Sequence, residues 1–393
     1  MTYQTWQEEL AKNYEETVAW RRYLHEHPEP SFEETETAKY IVARLKEFGI
    51  TDIEEQVGGN GIVAKIKGAQ PGPTVALRAD FDALRIQEEN DVPYASKVPG
   101  IMHACGHDAH TATLLSVAKV LQNHTADLKG TVVLIHQHAE EVLPGGAKSM
   151  VEAGCLEGVD VVFGIHVSSA LEVGHVAYTN GYAMAAADFF EMKLQGKGGH
   201  GASPHTTVDA VVVGSQIVAQ AQTLVSRLVD PVKPAVVTFS AFQAGGEACN
   251  IIADKAELRG TVRTYQPEVR DLIEENLEHL AKSVAGAYHA TIDFDYTRGY
   301  PAVYNHPAET ERVVSLMKET FGEAAVVEVD AAMGGEDFAY YVEKKPGTFF
   351  YVGAGNQKEG ITYPHHHPKF NVDENCMLQA GEAFLAICAD YLA

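Results

Sequence analysis

Thr131-Val132-Val133-Leu134-Ile135-His136-Gln137-His138-Ala139-Glu140-Glu141 sets the reading of the whole chain. Its opening apolar run is the kind found where a strand is buried on both faces at the centre of a parallel sheet. Two adjacent carboxylates follow at its C-terminal end, where open α/β sheets collect their ligands. Carboxylates held side by side need a nearby cation or a retained proton. Working outward, residues 74–79 read as a second such strand, running into Asp80-Phe81-Asp82-Ala83-Leu84 with carboxylates two apart. Residues 161–166 form a third, ending in His166. Three apolar strands that each deliver an acid or an imidazole at the same end make a constellation.

Between the first two motifs lies Met102-His103-Ala104-Cys105-Gly106-His107-Asp108-Ala109-His110, a dense cluster of imidazole, thiol and carboxylate. Cys and His are the softest protein ligands, and Gly106 lets the backbone bend so that Cys105 and His107 can reach one ion. Pro364-His365-His366-His367-Pro368 offers a further ligand. The pattern predicts a metal site on an α/β sheet.

The rest of the chain supplies the frame. Apolar positions at Leu10, Tyr14, Val18 and Leu24 predict a helix over 5–27, stopped by Pro28 and Pro30. Ser31 and Glu34 read as a capping box opening a second helix that ends at Gly49. Residues 61–67 read as a strand, with Gly72-Pro73 as a turn; 111–121 and 146–152 read as helices. Beyond Ala183 the texture changes to alternating strands around 188–194, 235–243, 257–265 and 290–296. Helices at 208–228 and 267–285 separate them, and Gly196-Lys197-Gly198-Gly199-His200-Gly201 makes a glycine-rich loop. The order β-α-β-β-α-β predicts a ferredoxin-like α+β domain at 184–296. It interrupts a catalytic α/β domain formed by 1–183 and 297–393. The returning segment carries helices at 308–321 and 374–392 and a strand at 348–352.

The 393 residues are enough for two cores. Lys plus Arg number 30 against 54 Asp plus Glu, a formal net charge of -24, which argues against nucleic acid or an anionic membrane as partner. The five cysteines are odd in number and scattered, so no disulfide framework is expected. No secretory signal or long apolar span is visible, and the composition fits a soluble cytoplasmic enzyme.

Taken together, Arg78-Ala79-Asp80-Phe81-Asp82-Ala83-Leu84, His103-Ala104-Cys105-Gly106-His107-Asp108-Ala109-His110, Ala139-Glu140-Glu141, Gly164-Ile165-His166, Gly199-His200-Gly201-Ala202-Ser203-Pro204-His205, Asn250-Ile251-Ile252, Gly260-Thr261-Val262-Arg263, Gly335-Glu336-Asp337-Phe338 and His366-His367-Pro368 occur in an order that resembles the M20 metallopeptidase family. The likeness is to its branch of aminoacylases, hippurate hydrolases and auxin-conjugate amidohydrolases. It implies a two-domain amidohydrolase, with a zinc-peptidase-like catalytic domain, two divalent ions per subunit, and a smaller lid domain that also makes a homodimer interface. It further implies Cys105, His107, Glu141, His166 and His366 as ligands, with His367 as the alternative to His366, and Glu140 as general base. Many relatives have His-x-Asp where this chain has Arg78-Ala79-Asp80, so the Cys105 and His107 pair is expected to supply the missing ligand.

Such a site hydrolyses an amide, with the ions polarising the carbonyl and acidifying a water. Glu140 moves the proton, His200 on the lid donates to the oxyanion, and Asp80 orients a ligand. Asn250 and Arg263 are expected to hold a substrate carboxylate. The expected substrate is an N-acyl amino acid, and the expected metal zinc or manganese. The alternatives are a dipeptidase or carboxypeptidase, or a silent metal- or ligand-binding protein.

Overall fold

The computed structural model describes residues 2–393. It divides into two compact units: 2–183, Tyr304–Ala331 and Asp337–Ala393 form the first, Met184–Val303 and Ala332–Glu336 the second. The first unit opens with α1 (Thr2–Lys12), α2 (Tyr14–Glu26) and α3 (Thr35–Glu47), followed by β1 (Asp52–Val57), β2 (Gly61–Lys67) and β3 (Gln70–Asp80). A long loop leads to α4 (His107–Asn123), β4 (Lys129–Gln137), α5 (Gly146–Glu152), β5 (Val161–Glu172), β6 (Val176–Tyr178) and β7 (Gly181–Met184). The helix expected over 5–27 is therefore two, broken at Asn13.

The capping box is not formed. Ser31 Oγ donates to Asp82 Oδ2 at 2.7 Å, while the buried Glu34 accepts from Ala139 N at 2.8 Å and Asn60 Nδ2 at 3.0 Å. The free N–H groups of Glu36 and Thr37 are taken instead by the Glu29 carboxylate, at 3.2 and 2.7 Å. An anionic acceptor suits a helix N-terminus well, and it releases Ser31 and Glu34 for distant partners. Gly72-Pro73 is likewise no turn: it lies inside β3, where the register with β4 shifts between Gln70 and Thr74.

The second unit contains β8 (Ala186–Gln195), β9 (Gly199–His200), α6 (Ala210–Thr223), β10 (Ala235–Ala244), β11 (Ile251–Ile252), β12 (Lys255–Thr264), α7 (Pro267–Ala287) and β13 (Thr291–Arg298). Asp209 caps α6 by accepting from Val211 N and Val212 N. Its sheet has the order β10-β12-β8-β13 with every pair antiparallel, the split β-α-β arrangement. Alternate residues Phe190, Met192 and Leu194 of β8 pack with Val213 and Ile217 of α6 and Ile273 and Leu277 of α7 in its own core.

The chain then returns through β14 (Val303–Asn305), α8 (Pro307–Phe321), β15 (Val326–Glu328), α9 (Ala339–Val342), β16 (Gly347–Gly355) and α10 (Asn375–Leu392). The first unit's sheet runs β1-β2-β4-β3-β5-β16-β6-β15. Its centre, β4-β3-β5-β16, is parallel. Val132, Leu134, Val75, Leu77, Phe163 and Phe350 from these strands are fully or almost fully buried in one cluster with α4 and α10. At roughly 1.5–3 kcal/mol for each large apolar side chain buried, such a core can offset the cost of polar groups held inside it. Among the described residues no helix is long and apolar enough to cross a membrane.

Candidate metal centre

The parallel strands β3 and β4 end at Asp80 and just before the Glu140-Glu141 pair, whereas β5 runs on to Glu172, so the expected strand end at His166 is instead mid-strand, two residues past the last pair with β3. Past Arg78 and Gly164 the ladder between β3 and β5 ends, which opens a gap there. Into it projects the N-terminus of α4. Gly106, at φ +94°, forms the turn between Cys105 and His107, and a Cβ there would meet Val167 at 2.4 Å.

His107 Nδ1 lies 3.0 Å from Asp82 Oδ1, and His107 Nε2 is buried with no hydrogen bond. Asp80 Oδ2 is 3.7 Å and Glu141 Oε1 3.9 Å from that nitrogen. His366 Nε2 lies 3.3 Å from the same Glu141 oxygen. His166 donates through Nδ1 to Val167 O at 2.7 Å, which leaves its Nε2, 3.4 Å from Cys105 Sγ, as a lone pair. Cys105, His107 and Glu141 thus offer one group of ligand atoms within 4.8 Å of one another, and Cys105, His166 and His365 another. Cys105 is common to both. An orphaned buried imidazole nitrogen beside two carboxylates, with a thiol shared between two donor groups, fits a pair of divalent ions.

The charges support that fit. Burial pushes the Cys105 thiol well up, and the nearby Glu141, Glu140 and Asp80 carboxylates push it further. Burial alone would lower His107, but Asp80 and Asp82 pull it to about 10. Both groups are poised to exchange a proton for a cation.

Several residues near the ligands are already satisfied. His110 donates from Nδ1 to Asp80 Oδ1 at 2.6 Å and accepts from Val167 N at 2.9 Å, so both nitrogens are used in bridging the gap between β3 and β5. Arg78 is fully buried and donates to Asp80 Oδ2 at 2.6 Å, Gln137 Oε1 at 2.8 Å and Asp337 Oδ1 at 2.9 Å. It holds Asp80 well below the usual carboxylate range against the opposing effect of burial. Asp80 therefore faces His110 and Arg78, whereas the carboxylate that holds His107 is Asp82. Behind α4, Arg21 Nε and His25 Nδ1 each lie 2.8 Å from Asp108 Oδ2, anchoring the helix start.

Asp82, His110, Arg78 and His365 lie within the motifs of the sequence but carried no separate role there. Their only signal was position: two residues after Asp80, in the histidine cluster, or beside His366. His365 takes Ser169 N on Nε2 at 3.3 Å and turns Nδ1 toward Cys105 Sγ at 3.6 Å. His367 instead stacks on Tyr363 and accepts from Lys369 N.

Three further candidates belong to the second unit. His200 in β9 pairs with Ile251, is exposed, and accepts from Ala202 N at 3.1 Å. It lines a surface cavity of ≈ 570 Å³ with Asn250, whose carbonyl accepts from Gly201 N. Arg263 is half-buried in β12, its guanidinium 5.6 Å from the Phe189 ring centroid, and it does not line that cavity.

Comparison with known proteins agrees with this geometry. Residues 76–390 match the model of "Peptidase family M20/M25/M40". The chain is 41% identical to N-acetylcysteine deacetylase of Bacillus subtilis (strain 168), covering 93% of this chain and 94% of that one. It is 40% identical to thermostable carboxypeptidase 1 of Saccharolobus solfataricus, covering 97% and 98%. Among solved structures it resembles the Bacillus subtilis YXEP protein, a dinuclear metal binding peptidase of the M20 family, with TM-score 0.81, 38% identity and coverage of 97% and 98%.

Proposed function

The chain belongs to peptidase family M20/M25/M40 and is a hydrolase of amide bonds, and on that premise we propose that it cleaves N-acyl amino acids to a carboxylic acid and a free amino acid. The observation that carries this reading is the donor set around Cys105, with Glu140 placed directly beside the ligand Glu141 at the end of β4. Cys105, His107, Glu141, His166 and His366 would hold the two ions, zinc or manganese. Bound there, divalent ions polarise an amide carbonyl and make water a competent nucleophile near neutral pH.

The protein's own groups do the rest. Glu140 accepts the proton of the attacking water and returns it to the departing amine, which leaves as a neutral amino group. Asp82 keeps the proton of His107 on Nδ1, so that Nε2 stays a donor of electrons. His200 donates to the developing oxyanion, and Asn250 and Arg263 hold the substrate carboxylate, in a homodimer whose second unit serves as lid and interface.

Thermostable carboxypeptidase 1 is as similar as the deacetylase, which favours peptide cleavage as the second reading. Turnover of N-acetylmethionine, hippurate and Ala-Gly by enzyme reconstituted with each metal decides between them. Hydrolysis of Ala-Gly in preference to both acylated amino acids would replace the proposal with a dipeptidase.

A further inference from the structure

Ser31-Phe32-Glu33-Glu34, the stretch that fails to cap α3, is pinned at both ends into the metal centre. Ser31 Oγ donates to Asp82 Oδ2, the oxygen that also receives Glu141 N at 3.0 Å. Glu34 accepts Ala139 N, and Ala139 turns at φ +50° to present Glu140 and Glu141. Between these anchors Phe32 sits at φ +69°, a left-handed conformation that a bulky residue rarely adopts. Its ring does not pack in the core: Phe32 is 45% exposed and meets His138 edge-on, with ring centroids 5.9 Å apart. Val142, directly after Glu141, is 50% exposed.

A glycine or asparagine would make the same turn with less strain. The surroundings therefore hold a phenyl ring in a costly conformation that contributes little to packing, and strain of this kind gathers at functional sites. The ring stands beside the turn that carries the base. The carbon attacked in an N-acyl amino acid belongs to the acyl group, so that group must begin within reach of Glu140. We propose that Phe32 is a specificity-determining residue whose ring, with Val142, forms an apolar wall for the acyl group, favouring aromatic and long aliphatic acyl groups over acetyl. This rests on the reading of Glu140 and Glu141 as the centre that cleaves N-acyl amino acids. Apolar walls with few polar contacts are how such sites choose among small ligands, and an aroyl ring gains edge or offset contact with a phenyl group.

Phe32→Gly is the discriminating variant, because glycine accepts φ +69° and the fold loses strain with the ring. The thermal midpoint should stay level or rise. The kcat/KM for N-benzoylmethionine should fall about 10–100-fold and that for N-acetylmethionine about threefold, the range that pocket contacts of this size supply. Phe32→Leu should lie between the variant and the parent. Benzoate binding to the metal-loaded protein, measured by calorimetry, should weaken about tenfold while acetate binding changes less. Equal losses for both acyl groups, or unchanged benzoate affinity, would overturn the wall. If the parent enzyme cleaves no N-acyl amino acid, the function above fails separately, and the benzoate comparison still decides for or against Phe32.

Discussion

Replacing Asp82 by Asn removes one negative charge and one acceptor from the group that prepares His107 for a metal. Asp82 Oδ1 takes His107 Nδ1–H at 3.0 Å, and Oδ2 takes Ser31 Oγ at 2.7 Å and Glu141 N at 3.0 Å. Asn cannot serve all three. With its oxygen on His107, its amide faces the Glu141 N–H, and one buried donor is left unpaired at about 1–3 kcal/mol. With the oxygen turned to Glu141, the amide faces His107 Nδ1, whose N–H keeps only the Asp82 carbonyl at 3.0 Å and loses the carboxylate that fixes the ring. Either orientation should weaken metal binding by about 10–100-fold, roughly 1.4–2.7 kcal/mol. Competition with a chromophoric chelator measures this directly. Asp80→Asn is the comparison, since Asp80 hydrogen-bonds Arg78 and His110 and meets the ligand His107 only at 3.7 Å, without a hydrogen bond. Breaking that buried pair should lower stability by about 3–5 kcal/mol with a smaller loss of metal. Parental metal affinity in Asp82→Asn, or a larger loss in Asp80→Asn, would refute the division of roles.

Chelation should abolish turnover, and added metal should restore it; a sample verified free of metal yet still active would contradict the assigned centre. Glu140→Gln should keep its metal content and lose about 10²–10⁴-fold in kcat, and metal loss alongside activity would make Glu140 a ligand instead. His200→Ala should lower kcat about 10²–10³-fold with metal content intact. Mixing it with Glu140→Gln, once subunit exchange is demonstrated, recovers activity if His200 serves the partner's site and does not if it serves its own. Burial raises the Glu34 carboxyl from 4.5 to about 7, so the folded state binds this proton more tightly than the unfolded chain. Stability from this group is present below about pH 4.5 and is lost as pH rises toward 7, by at most about 3 kcal/mol. Relative to the parent, Glu34→Gln should gain in thermal midpoint from pH 5 to pH 8; a difference independent of pH would show that the carboxyl does not titrate there.

The fold was legible where burial is uniform. Residues 131–137 and 161–166 are apolar because both faces of β4 and β5 are covered, so periodicity was unnecessary. β1 was not, because Asp-Ile-Glu-Glu-Gln-Val buries only Val57 at the sheet edge. Ser31 and Glu34 misled for a related reason. A capping box is a local pattern, and the two side chains are taken by Asp82, Asn60 and Ala139, residues that become neighbours only after folding. The same distinction divides the site. The ends of the apolar runs delivered Asp80, Glu140, Glu141 and His166 as candidates, although β5 continues past His166 to Glu172, whereas the division of labour between Asp80 and Asp82 depends on which carboxylate each imidazole meets.

Charge explains how these acids tolerate one another. Arg78 answers Asp80 and Asp337, and Arg21 answers Asp108, all fully or nearly fully buried. A buried carboxylate without such a partner would either keep its proton or destabilise the fold. Asp80, Asp337 and Asp108 are thus neutralised by arginines that belong to the chain. What remains is the outer group, His107 with its bare Nε2, the Cys105 thiol pushed up by burial, and Glu141, which no arginine approaches among its described ion pairs. These arginines hold their part of the sheet without a cation, and the outer group is the part that a cation would complete. Chelated protein should accordingly keep its secondary structure and a cooperative thermal transition while turnover is lost, a pairing that circular dichroism and activity on one sample can check. Collapse of the transition on chelation would mean that the metals, and not Arg78 and Arg21, hold the sheet edge together.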